Sequence, residues 1–264
     1  MSFIYSLSDI HGDIVALKKS LSGLLKDFGS DDQIVFCGDY VDGGMNSYDV
    51  LKKVMEIDLA FPGQITVLLG NHDEWFCQWL FDDSPELYDY SIGVGFSTLQ
   101  SFFENIFPSL HVLLKEEGVD GFNQVLREEL LCNERFLGLT RWLRNKYTRP
   151  RLYETDNQLF VHAGIDESID DFWKVGTPAE MLTNKYPHST GYFSKTIIAG
   201  HIYTDEIGGK EFLGKVFWDG ASHFYIDGRT SLTGVVPVLK YDTCADRYMF
   251  DERIIQGELT RKDN

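Results

Sequence analysis

Gln33-Ile34-Val35-Phe36-Cys37-Gly38-Asp39-Tyr40-Val41-Asp42-Gly43 is an apolar run that stops abruptly at two aspartates set between glycines. The same pattern stands on both sides of it. Phe3-Ile4-Tyr5-Ser6-Leu7 runs into Ser8-Asp9-Ile10-His11-Gly12, and residues 64–69 run into Gly70-Asn71-His72-Asp73. Each run predicts a strand. Between them, Leu17, Leu21, Leu24, Leu25 and Phe28, then Val50, Leu51, Val54 and Met55, recur at helical spacing. Asp13 is placed to cap the first of these helices. A β-α-β-α-β order requires right-handed crossovers and a mainly parallel α/β core. All three strands then deliver their polar residues to one edge, where open α/β sheets gather ligands.

Residues 76–150 break the alternation and predict a helical insert. Leu99, Phe102, Phe103 and Ile106 form one apolar face, and Val125, Leu126 and Leu130 begin another. Trp75, Phe76, Trp79 and Phe81 open the insert, either as stacking surfaces for a substrate or, as their helical spacing favours, as core. Strands resume at 158–161 and 196–199, and these end in two further polar clusters, His162-Ala163-Gly164 and Gly200-His201. The last third predicts strands at 214–218, 223–226, 232–240 and 246–250, with turns at Gly208-Gly209 and Asp227-Gly228. Residues 1–255 are expected to form a single domain, and the polar residues 256–264 to fray.

Composition narrows the function. The 264 residues carry a formal charge of −17, which excludes a broad nucleic-acid surface because such surfaces need basic stripes. An anionic substrate would need a locally positive site. The four cysteines show no paired spacing, so a reducing compartment is the simpler expectation, with Cys37 a core residue. The first strand leads straight into the first polar cluster, leaving no signal peptide, and no apolar run reaches membrane-spanning length. A cytoplasmic location without membrane attachment is therefore expected.

The clusters together offer two carboxylates, Asp9 and Asp39, with His11, His162, His201 and the amide of Asn71. This mixed set suits two divalent transition metals, manganese, iron or zinc, rather than calcium or magnesium. Metals about 3.5–4 Å apart can generate a nucleophile at neutral pH and neutralise phosphoryl charge. With a shared hydroxide, such a centre stays net positive inside a chain of −17 and can hold a phosphate dianion. His72 follows Asn71 directly, so the two side chains diverge; if Asn71 faces the metals, His72 can face the leaving group. A histidine partnered by a carboxylate is a suitable general acid, and Asp42 is the expected partner. His111 and His188 are expected at the surface, and His223 lacks the strand-end context of a ligand. Any one cluster alone could be only a turn or a cap; it is the repetition of strand followed by ligand that carries the chemistry.

In these motifs the chain resembles the calcineurin-like metallophosphoesterases, within them the branch of serine/threonine phosphoprotein phosphatases and symmetrical diadenosine tetraphosphatases. Residues 8–12, 38–44, 70–73, His162-Ala163-Gly164, Gly200-His201 and Tyr225-Ile226-Asp227-Gly228 carry the resemblance. It implies a four-layer α/β (α+β) sandwich of two mixed β-sheets flanked by helices. It also implies that Asp9 and His11 bind one metal, that Asn71, His162 and His201 bind the other, and that Asp39 bridges them, manganese being favoured. His72, oriented by Asp42, would protonate the leaving group after direct in-line attack by a shared hydroxide. The expected partner is a phosphorylated substrate, a phosphoprotein or a small phosphoester. Two other functions compete with this one: a dinucleoside polyphosphate hydrolase, and a catalytically silent binding module that retains metal.

The chain departs from that family in its phosphate grip. Gly43 stands where the second motif carries an arginine, and residues 163–200 hold no arginine at all. Between 135 and 151 lie six cations and no acid, and Arg149 and Arg151 are the candidates there for reaching the phosphate, against the plainer possibility of a solvated basic face.

Overall fold

The computed structural model of the chain describes residues 2–82, 85–104, 106 and 109–261. Two mixed sheets pack face to face. The first takes the order β11-β10-β9-β1-β2-β3, built from β1 (Phe3–Leu7), β2 (Gln33–Phe36), β3 (Ile65–Val67), β9 (Leu239–Asp242), β10 (Arg247–Phe250) and β11 (Arg253–Gln256). The second takes the order β4-β5-β6-β8-β7, from β4 (Leu152–Glu154), β5 (Gln158–Val161), β6 (Thr196–Tyr203), β7 (Phe217–Trp218) and β8 (His223–Asp227). β1, β2 and β3 run parallel, as do β5, β6 and β8. This is the four-layer α/β sandwich expected.

Period-two alternation assigns each strand residue to a layer. Tyr5, Leu7, Ile34, Phe36 and Val67 face outward onto the helices. Their neighbours Ile4, Val35 and Cys37 face inward and meet Phe160, Ile198, Phe224 and Tyr248 between the sheets. On the far side, Leu159, Val161, Ile197 and Tyr225 pack against Trp173 and Phe193. Because both faces of β1 and β2 are covered, these strands read as continuous apolar runs.

Helices α1 (Ile14–Leu24) and α2 (Ser47–Ala60) cover the first sheet, and the Asp13 carboxylate caps α1 by accepting from the N–H groups of Val15 and Ala16. The insert consists of α3 (Asn71–Phe81), α4 (Tyr88–Ile92), α5 (Phe96–Phe103), α6 (Leu110–Cys132) and α7 (Glu134–Tyr147). Phe76 and Trp79 are fully buried core, whereas Trp75 is 37% exposed and lies edge-on to His72 with ring centres 4.7 Å apart. Among the described residues no helix is long and apolar enough to cross a membrane.

The C-terminal third departs most from expectation. The strand expected at 232–240 is replaced at its start by a helical turn, Thr230–Thr233, closed by Gly234 in the left-handed region; the ladder begins at Leu239. β11 has no apolar alternation because three of its four residues are exposed on an edge. Residues 257–260, expected to fray, form a 3-10 turn whose buried Thr260 hydroxyl meets that of Thr196 at 2.6 Å.

His223 opens β8 and is the centre of a buried clamp. Its Nδ1 lies 3.0 Å from Asp219 and its Nε2 2.9 Å from Glu167, which also pairs with Lys185 at 2.9 Å. Burial alone would push the imidazole down; the Asp219 and Glu167 carboxylates instead raise it to about 9. A pKa raised from 6.5 to about 9 on folding contributes stability that is complete below 6.5 and lost as pH rises through about 9. The contribution is on the order of 3 kcal/mol. Thermal melts at pH 6 and pH 9.5 should therefore fall steeply for the native chain and much less for His223→Gln; parallel declines would show that the clamp carries no such linkage. His111 is exposed, and His188 is half-buried with its ring edge on Tyr225.

Candidate active site

The carboxyl ends of both parallel strand sets converge on one cleft of about 250 Å³. Asp9 and His11 follow β1, Asp39 follows β2, Asn71 opens α3 just after β3, His162 follows β5, and His201 lies within β6. Asp9, His11, Asp39, Asp42 and His201 all take positive φ, between 46° and 66°. Non-glycine residues enter that region rarely, and strain of this kind concentrates at functional sites. The register of β6 against β8 shifts between Ala199 and Tyr203, an irregularity that turns His201 toward the cleft end. Gly70 and Gly200 have to be glycine: a Cβ would overlap the Asp39 carboxylate at the first and the Asp9 carboxylate at the second.

Two clusters of donor atoms share one residue. Asp9, Asp39 and His162 form one, and His11, Asp39 and His72 the other, each within 4.8 Å. His11 Nε2 lies 3.5 Å and His162 Nε2 3.4 Å from Asp39 Oδ2, and His162 Nε2 is 3.1 Å from Asn71 Oδ1. In each ring the other nitrogen is held by a carbonyl: Nδ1 of His11 by Val41 at 3.1 Å, Nδ1 of His162 by Cys37 at 2.9 Å. Carbonyls on Nδ1 that aim Nε2 inward are the second contacts that metal-binding histidines ordinarily make.

The buried carboxylates and imidazoles shift one another strongly, and His162, opposed by burial, is raised to about 10 by Asp39. Burial, reinforced by Asp227 and offset in part by His162, holds the Asp9 carboxyl well above the usual carboxylate range. Burial also acts against Asp39, but His162 beside it pulls that carboxyl below the range. His201 is pushed down to about 4 by burial and by His162, so it is neutral and able to donate a lone pair. Buried carboxylates crowded this closely are costly unless cations offset them. Among the described residues the six expected ligands therefore stand together and suit divalent metal ions.

His72 and Asp42 also meet as expected. Asp42 is fully buried, and its Oδ2 lies 2.8 Å from His72 Nδ1. Burial lowers the His72 imidazole, but the Asp42 hydrogen bond overrides it and the net position is above the ordinary value. The other oxygen of Asp42 accepts from Thr98 Oγ1 at 2.6 Å and from Tyr90 OH at 2.9 Å, while the Asp42 N–H donates to Thr98 Oγ1 at 2.9 Å. The insert is thus tied to the site through α4 and α5, a contact between residues 56 apart in sequence that no local pattern announces. Asp73 likewise does more than complete its motif. Its carboxylate accepts from the N–H groups of Asp39 at 2.7 Å, Tyr40 at 2.9 Å and Gly70 at 3.0 Å, fastening two ligand loops together.

The structure does not bring Arg149 or Arg151 into the cleft. Arg149 is exposed, and the Arg151 guanidinium is spent on Glu74 and on the carbonyls of Arg149 and Tyr147. The cleft is completed instead by Gly43, Val94, Tyr203, Asp227 and Ser231. Asp227, buried and raised to about 6 mainly by that burial, was legible as a turn and as part of the motif at 225–228, but not as a residue of the cleft.

A family model described as calcineurin-like phosphoesterase matches residues 4–211. Over 68 residues the chain is 35% identical to the serine/threonine-protein phosphatase SIT4 of Candida albicans, a match covering 25% of this chain and 21% of that protein. The serine/threonine-protein phosphatase PP1-1 of Saccharomyces cerevisiae matches to the same extent. The matched stretch spans about a fifth of each relative. Among solved structures, the cold-active protein-tyrosine phosphatase of a psychrophilic Shewanella species superposes with a TM-score of 0.58 at 15% identity, covering 96% of this chain and 79% of that one. A Saccharomyces cerevisiae protein serine/threonine phosphatase superposes with a TM-score of 0.53 at 14% identity, over 90% and 72%. At these identities the superpositions establish a shared fold. With the family model spanning most of the sequence, the chain belongs to the calcineurin-like phosphoesterase family.

Proposed function

We propose that the protein is a binuclear metal-dependent phosphatase that hydrolyses phosphomonoesters. The observation that carries this reading is the pair of donor clusters sharing Asp39. Divided as the resemblance implies rather than as the two clusters group them, Asp9, His11 and Asp39 would hold one metal, and Asp39, Asn71, His162 and His201 the other, with manganese the first choice. When bound, such a pair supplies an activated water and neutralises charge on the phosphoryl oxygens. The chain's own groups do the rest. Val41 and Cys37 carbonyls fix the imidazoles, Asp73 locks the Asp39 and Asn71 loops, and His72 gives a proton to the departing oxygen. Asp42 keeps that proton on the correct side of the ring by holding Nδ1.

The intact His72–Asp42 pair favours an enzyme over a silent module, since a scaffold has no use for a general acid. Trp75, exposed beside His72, is the feature that favours a dinucleoside polyphosphate as second substrate class, because an indole can stack on a base. Assays with added manganese on an aryl phosphate, a phosphopeptide and a dinucleoside tetraphosphate rank these. Turnover of none of the three would overturn the reading. Thr98→Val removes both hydrogen bonds to Asp42 at nearly constant volume. Its expected effect is a roughly tenfold lower kcat on esters with poor leaving groups, with bound metal unchanged; loss of metal in this variant would assign Thr98 a purely structural role.

A further inference from the structure

Among the described residues the cleft is lined by carboxylates, imidazoles and an amide but by no lysine or arginine. A phosphate dianion entering it meets Asp227 as well as Asp9 and Asp39, so a side-chain cation beyond the metals is needed to orient it. Arg229 is the residue built for that position. It lies midway between Asp227 and Ser231, both of which line the cleft. Its backbone is left-handed, with φ 53°, and is pinned on both sides. The Arg229 N–H donates to Asp227 Oδ1 at 2.8 Å, and the Arg229 carbonyl accepts from the N–H groups of Leu232 at 2.9 Å and Thr233 at 3.1 Å. The next residue, Thr230, donates its hydroxyl to the Asp9 carbonyl at 2.6 Å. The loop is therefore fastened directly to the backbone of a ligand.

From that anchored point the side chain lies over Tyr203, with the guanidinium carbon 4.6 Å from the ring centre. Tyr203 lines the cleft two residues beyond His201. Arg229 is thereby held beside a ring that lines the cleft, and the stack does not occupy its N–H groups. Among the described residues its one ion partner is Asp205, reached through Nη1 at 3.3 Å, and the side chain stays 40% exposed. The donors not turned to Asp205, carried beside a cleft-lining ring, match two oxygens of a phosphoryl group.

We infer that Arg229, stacked on Tyr203, is the residue that grips the phosphoryl oxygens of the substrate. This rests on the phosphomonoesterase reading for its substrate, but not for its test. Binding of inorganic phosphate to the manganese-loaded protein, followed by phosphorus NMR line broadening, requires no turnover. Arg229→Met should weaken phosphate about 10- to 100-fold, and Arg229→Lys should recover part of the loss because it restores charge but not the fork. In turnover the same factor should appear in KM for every phosphomonoester tested, whatever surrounds the phosphate. Tyr203→Leu, which removes the platform and keeps the arginine, should give a smaller loss in the same direction, and it decides the matter if Arg229→Met fails to fold. Phosphate affinity within twofold of the native value in both Arg229→Met and Tyr203→Leu would overturn the inference. So would a loss confined to peptides with acidic flanks, which would mean that Arg229 holds the rest of the substrate. A native chain that binds phosphate but turns over no ester would sink the phosphatase reading alone.

Discussion

Asp39→Asn should lower kcat/KM on every phosphoester by about a thousandfold or more and take most of the bound metal with it. The substitution is nearly isosteric, so the loss reports charge and ligation rather than packing. Asp39 is buried, and Oδ2 is the atom facing both His11 and His162, at 3.5 and 3.4 Å. Its other oxygen accepts from the His72 N–H at 3.1 Å, which ties the ligand to the helix carrying the proposed acid. No other residue belongs to both donor clusters. A metal centre contributes several kcal/mol of transition-state stabilisation, and about 1.4 kcal/mol separates each tenfold change in rate. Removing a residue proposed to bind one metal alone should cost less, because the other site survives. An Asp39→Asn protein that keeps full metal and more than a tenth of native activity would contradict the shared-carboxylate arrangement.

His72→Asn should behave differently. Its expected loss is about 10²- to 10⁴-fold in kcat on alkyl phosphates such as phosphoserine peptides, the range for removal of a general acid. On an aryl phosphate with a phenolate of low basicity the loss should be under about tenfold, since that leaving group departs without a proton. The geometry behind this is the 2.8 Å contact between His72 Nδ1 and Asp42 Oδ2, which leaves Nε2 as the proton-bearing atom free to act. Asp42→Asn should give the same pattern, and the double variant should be little worse than either alone, because the two act as a unit. Equal losses on both ester types would place His72 among the metal ligands instead, a role its membership in the second donor cluster allows.

The candidate ligands were legible in the sequence because each residue sits where an apolar run ends. Strand ends are fixed by local pattern, and parallel connectivity then forces those ends to one edge. What was not legible depends on contacts between distant segments. Tyr90 and Thr98 reach Asp42 from an insert whose own pattern reports only which faces are apolar. Asp73 looks like the tail of a motif until its carboxylate is seen bridging the Asp39 and Gly70 loops. His223 reads as a histidine without a context, and its partners Asp219 and Glu167 come from a nearby turn and from a loop 56 residues away. Arg149 and Arg151 drew attention as part of a dense basic stretch, but charge density along a chain says nothing about direction, and Arg151 turns to Glu74. Arg229 stands alone in sequence, and its place comes from a left-handed turn and a tyrosine 26 residues earlier.

Asp39 is proposed to join two metals in one centre. Manganese titration followed by electron paramagnetic resonance tests it most directly. Saturation is expected at about two equivalents per chain and, for ions about 3.5–4 Å apart, an exchange-coupled signal should replace the six-line pattern of isolated manganese. Saturation at one equivalent, or two equivalents that retain the isolated six-line pattern, would contradict it.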